Sequence, residues 1–163
     1  MAKLIQKILV AVDGSDHARQ ALTFSARLAN DLGARLLLIH VMSRSGSDRI
    51  PGPLQHYSQI EHSITSESDM LQQIAQSILD EAKDLATSLG LNDVDTMVDN
   101  GNPADRIIKA ISDNHVDLVA MGRRGLSDFS GLLFGSVSHK VAHLSTCPCL
   151  TVPALEATPE QIT

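Results

Sequence analysis

Gly122, Gly125, Gly135 and Ser136 are the residues whose types and spacing most directly suggest chemistry. They lie in Met121-Gly122-Arg123-Arg124-Gly125-Leu126-Ser127-Asp128-Phe129-Ser130-Gly131-Leu132-Leu133-Phe134-Gly135-Ser136. The apolar run Val116-Asp117-Leu118-Val119-Ala120 precedes them and reads as a buried strand, and Val137, Val141 and Leu144 follow at helical spacing. The arrangement is strand, glycine-bearing loop, helix. Glycines let main-chain amides approach a ligand closely, and a helix start adds unpaired N–H groups and the positive end of a dipole. Such a place suits an anion, most naturally a phosphate. A loop that merely turns the chain would use the same residue types. It is not a Walker A, since no Gly-Lys-Ser/Thr follows, and Gly-x-Gly-x-x-Gly is absent. Arg123 and Arg124 flank the glycines, either as ordinary solvated arginines or as attractors of phosphate.

Other constellations carry less. Asp13, Ser15 and His17 could suggest a hydrolase, but no Gly-x-Ser-x-Gly elbow accompanies them, and helix capping explains an Asp or Ser there. His139 and His143 share a helix face, yet a metal site wants a third ligand and none is near in sequence. His40 lies inside an aliphatic run and reads as a core histidine bonded to backbone. Cys147 and Cys149 are the only cysteines. On one strand face they are too constrained for an easy mutual disulfide, and a reduced, buried thiol pair fits the cytoplasm.

These residues are positioned by alternating elements. Leu4 to Val12 reads as a strand ending at Asp13-Gly14-Ser15, with Ser15 or Asp16 as helix cap. Ala18, Ala21, Leu22, Ser25, Leu28, Ala29 and Leu32 form the next helix's inner stripe, stopped by Gly33. Arg35 to Val41 is an unbroken aliphatic strand, as expected when both faces are covered. Ser43 to Ser58 has no clean period and reads as a long loop. Helical spacing runs from about Ser66 to Gly90, with Met70, Ile74, Ile78 and Leu85 among its inner residues. Val94 to Val98 is a more polar strand, nearer an edge. Asn102 caps a helix with Pro103 at its first position and Ile107, Ile108 and Ile111 inward. The last strand is Cys147 to Val152. The order β-α-β-α-β-α-β-α-β predicts a single-domain α/β fold, a doubly wound five-stranded parallel sheet, over residues 1–153 with a frayed tail at 154–163. If the strands lie in the order 3-2-1-4-5, the first and fourth are neighbours where the winding reverses. Asp13 and Gly122 then face one crevice, with the end of the second strand, Val41, beside it.

The 163 residues suffice for one domain, and with only 2% aromatic residues the core must be aliphatic. A net charge of −6 argues against nonspecific binding of nucleic acid or anionic membranes. No apolar run reaches membrane-span length, and the short N-terminal one does not read as a signal peptide.

Gly122, Gly125, Gly135 and Ser136 fit the pattern Gly-x2-Gly-x9-Gly-Ser, and from roughly residue 3 to 153 the chain resembles the ATP-binding branch of the universal stress proteins. The resemblance implies an adenine nucleotide alpha hydrolase-like fold and binding of ATP, with Mg2+. By it, Gly122 and Gly125 line ribose and phosphates, and Gly135 and Ser136 hold the outer phosphates. Asp13 sits by the nucleotide and any metal, and the backbone of Val41 recognises adenine. Met121, Arg124 and Val137 complete the nucleotide-binding set. It further implies a stress-response regulator and a homodimer paired through the last strand; since no residue stands out to orient a water, ATP hydrolysis is expected to be slow or absent, and the reduced thiols place the protein in the cytoplasm. The alternative is a slow ATPase or phosphotransferase using the same pocket. A flavin- or adenylate-handling relative of the same architecture is a third reading.

Overall fold

The computed structural model describes residues 4–43, 67–126 and 134–154. Strand β1 (Lys7–Ala11) is followed by α1 (Asp16–Leu32), β2 (Arg35–Met42), α2 (Glu67–Ser88), β3 (Val94–Asn100), α3 (Pro103–Asp113), β4 (Leu118–Gly122), α4 (Ser136–Leu144) and β5 (Cys149–Val152). All strand pairs are parallel, in the order β3-β2-β1-β4-β5. The chain winds outward through β2 and β3, then returns past β1 to place β4 and β5 on the other side. The reversal therefore falls between β1 and β4, where a ligand crevice is expected.

The central strands read as continuous aliphatic runs because helices cover both faces. Ile8, Val10, Leu36, Leu38, Leu118 and Ala120 face one core, shared with Leu22 and Ala26 of α1 and Ile78 and Leu79 of α2. Leu9, Leu37, Ile39, Val119 and Met121 face the other, against Ile107 and Ile111 of α3 and Val141 of α4. The polar strand β3 is one edge of the sheet and β5 is the other.

Local signals set the helix ends. Ser15 caps α1, its Oγ accepting the Ala18 N–H at 3.1 Å. Gly33 ends α1 in the left-handed region, at φ 60°, where a Cβ would be penalised. Asn102 caps α3 by accepting from the Asp105 N–H, with Pro103 at the first position.

Several boundaries shift. β1 starts at Lys7, and Leu4 is 91% exposed. β4 extends through Met121 and Gly122, which are the last strand residues rather than the start of the loop. β5 begins at Cys149, because Ser145 Oγ folds the preceding turn by bonding the N–H and carbonyl of Cys147. Leu32 and Leu144 fall at helix ends and are largely exposed, so neither belongs to an inner stripe. The long loop read from Ser43 onward lies outside the described residues beyond Ser43, as does the tail beyond Ala154. Ala154 itself is held, donating its N–H to His17 Nδ1 at 3.0 Å. Among the described residues no helix is long and apolar enough to cross a membrane.

Candidate functional site

At the carboxyl end of β1 the chain turns through Asp13. Its Oδ1 accepts the Ser15 N–H at 2.9 Å, which braces the turn into α1. Its Oδ2 accepts the Leu126 N–H at 3.2 Å, from the loop that leaves β4. Asp13 is therefore not the cap of α1; Ser15 holds that role. The carboxylate instead ties the first strand to the glycine loop across the switch point.

Gly122 ends β4 directly beneath the start of α1. A Cβ there would lie 2.6 Å from the His17 Cβ, 2.7 Å from its carbonyl carbon and 2.8 Å from the Ala18 nitrogen. Two of those atoms are backbone, so the residue must be glycine for α1 to seat on the strand. This packing reason is independent of any ligand. Met121, by contrast, is only 3% exposed and packs in the α3/α4 core. Its side chain is occupied there, and its main chain belongs to the ladder with β5.

Arg123 ties three elements together. Its N–H donates to the Val152 carbonyl of β5 at 2.8 Å, and its carbonyl accepts the Gly135 N–H at 2.8 Å. The Ser138 hydroxyl donates to that same carbonyl at 2.6 Å. The two ends of the glycine loop are thus fastened to each other. Arg123 Nε is buried with no hydrogen-bond partner among the described residues. Arg124 and Gly125 are half-buried. Residues 127–133, including Gly131, lie outside the described residues.

Gly135 is the N-cap of α4, and among the described residues no side chain caps that helix. Ser136 is its first helical residue. The N–H groups of the first turn are left for other acceptors, the feature that makes a helix start attractive to anions. At Gly135 φ is −75°, open to any residue, so the backbone turn alone does not demand glycine. Val137 is half-buried against the α3/α4 core.

Val41, near the end of β2, packs partly into the same core. The ends of β2, β1 and β4 are consecutive in the sheet, so Val41, Asp13 and Gly122 lie along one rim. His40 donates its Nδ1–H to the Val12 carbonyl at 2.8 Å, since a carbonyl can only accept. It is a backbone-bonded histidine that fixes the last residues of β1 against β2.

The other candidates are engaged or isolated. Ser15 is 7% exposed with its oxygen used as cap acceptor, and His17 Nδ1 takes the Ala154 N–H. The hydrolase arrangement is thereby dismantled. His139 and His143 are exposed, and among the described residues no group of three His, Cys, Asp or Glu side chains could hold a metal. Cys147 and Cys149 are free and half-buried. Burial raises the Cys149 thiol pKa, with a smaller push from Cys147, so it stays protonated at neutral pH.

Sequence reasoning missed Ser138 and the structural role of His17. Ser138 follows Gly135 by three residues, and a small polar residue between Val137 and Val141 on a buried helix face was the available signal. His17 bonds a residue 137 positions away, and no local pattern reports that.

Fold and site together define a doubly wound α/β protein with a clasped glycine loop at its switch point. The model of the "Universal stress protein family" matches residues 4–153, and the chain belongs to that family. Universal stress protein YxiE of Bacillus subtilis (strain 168) is 34% identical over 157 residues, covering 91% of this chain and 99% of the relative. A solved universal stress protein in complex with cAMP is similar at a TM-score of 0.64 and 26% identity, covering 93% of this chain and 98% of its own. A universal stress protein from Archaeoglobus fulgidus in complex with dAMP has a TM-score of 0.65 and 20% identity over 91% of this chain and 98% of its own, a likeness of fold.

Proposed function

We propose that this chain binds ATP in the crevice between the ends of β1 and β4, and that binding regulates a stress response with slow or no hydrolysis. The observation that carries the reading is the Asp13 bond to the Leu126 amide, which draws the first-strand carboxylate and the glycine loop into one place. Beside it, among the described residues, α4 begins without a side-chain cap and Arg123 Nε is buried without a partner. Unsatisfied donors of both kinds suit a polyanion. The solved relatives that hold cAMP and dAMP support an adenine nucleotide as the ligand class.

In this reading, main-chain groups of Met121, Gly122 and Gly125 line ribose and phosphates. Gly135, Ser136 and Val137 meet the outer phosphates at the start of α4, Arg124 adds charge, and Val41 faces adenine through its backbone. A carboxylate beside a triphosphate repels it unless a cation intervenes, and this is the physical case for Mg2+ at Asp13. Mg2+ keeps waters and phosphate oxygens as most of its ligands, so one protein carboxylate suffices. Its contribution would be to neutralise phosphate charge. The Ser15 oxygen serves as a helix cap and, among the described residues, no group stands out to orient a water, which favours binding over turnover. We place this protein in the cytoplasm as a homodimer.

Because ligand binding to the folded state alone stabilises it, ATP at a hundred times its Kd should add about 2.7 kcal/mol. Thermal melts with ATP, AMP and tripolyphosphate check this. An upward shift with ATP that tripolyphosphate does not reproduce is expected. No shift at millimolar ATP overturns the assignment.

A further inference from the structure

We infer that Ser138 is a positioning residue for the described start of the glycine loop: its hydroxyl, clamped on the Arg123 carbonyl, sets where the Leu126 amide stands relative to the start of α4. The inference rests on the nucleotide reading of that loop, but its geometry does not. Ser138 is 3% exposed, and its Oγ lies 2.6 Å from the Arg123 carbonyl oxygen and 3.1 Å from that of Gly135. The hydroxyl carries one proton, and the shorter contact takes it. The Gly135 N–H occupies the Arg123 carbonyl's other lone pair at 2.8 Å. Both acceptor positions of one carbonyl at the end of β4 are thus filled from the first turn of α4. Arg123 is also tied to β5 through Val152, so the clasp is anchored to the sheet. Beyond the clasp, Leu126 is held by Asp13. Removing the hydroxyl leaves, among the described residues, a single main-chain bond across the neck, from the Gly135 N–H to the Arg123 carbonyl.

A buried hydroxyl-to-carbonyl bond weighs about a tenfold factor in an equilibrium. The test measures ATP affinity and amide exchange in the ligand-free protein for the parent, Ser138→Ala and Ser138→Thr. Ser138→Ala should weaken ATP binding about tenfold and speed exchange of the Leu126 amide, while amides in β1 and β2 keep their protection. Ser138→Thr, which retains the hydroxyl, should restore both. Unchanged Leu126 exchange in Ser138→Ala overturns the inference, as does loss of protection spread evenly through β1 and β2, which marks a merely structural role. If the parent itself fails to bind ATP, the proposed function falls, and the exchange comparison alone still decides whether Ser138 positions the loop.

Discussion

At Gly122 a methyl group would meet the carbonyl carbon of His17 and the nitrogen of Ala18 at 2.7 and 2.8 Å, inside any tolerable contact with backbone. Gly122→Ala must therefore push the first turn of α1 off β4. We expect a loss of about 2 kcal/mol, the usual cost of overpacking, seen as a lower denaturant midpoint with an unchanged slope. A ligand-only role for the glycine would leave the midpoint of the free protein where it is. Asp13 shows the complementary case. Its two oxygens accept from opposite sides of the switch point, so one side chain does what the main chain alone cannot.

Helix α1 depends on its first turn twice over. The Ser15 oxygen satisfies the Ala18 N–H, and that same turn packs on Gly122. Ser15→Ala should cost about 1 kcal/mol through the lost cap. Chemical denaturation checks the value, with Ser15→Asp expected to recover most of it because Asp caps as well as Ser. Helix α4 is built differently. It has no side-chain cap, and only nine residues, so its start is held by Ser138 and Gly135 bonding back to Arg123. Unlike α1, it has no polar side chain at its cap position.

At the scale of the molecule, β5 leaves one edge of the sheet unpaired among the described residues. The carbonyls of Pro148 and Val152 accept from β4, so by the alternation of a parallel ladder the main-chain groups of Thr151 turn to the open side. Edges of this kind need covering, and a second copy of β5 would cover it. We expect sedimentation at micromolar concentration to show a dimer, and Thr151→Pro, which removes one outward N–H, to shift it toward monomer while leaving the fold. A parent that sediments only as monomer rules the pairing out.

Hydrophobic period and cap chemistry are local, and they were legible. The alternation of strands and helices, the stop at Gly33 and the start at Asn102-Pro103 follow from residues within a few positions of each other. The glycine motif was legible too, as a pattern of spacing. Which residues of that pattern pack into the fold was not. Met121 points into the core, Gly122 makes room for His17, and Ser138, outside the pattern, clasps the loop. Each depends on contacts between segments far apart in the chain, as with Asp13 and Leu126, separated by 113 positions. Sequence by itself determined the elements and their order, because propensity, capping and burial period act over a turn or two. Only the tertiary structure decided which side chains meet at the switch point, because that is set by how helices seat on the sheet, and packing is a property of surfaces that the chain brings together only once folded.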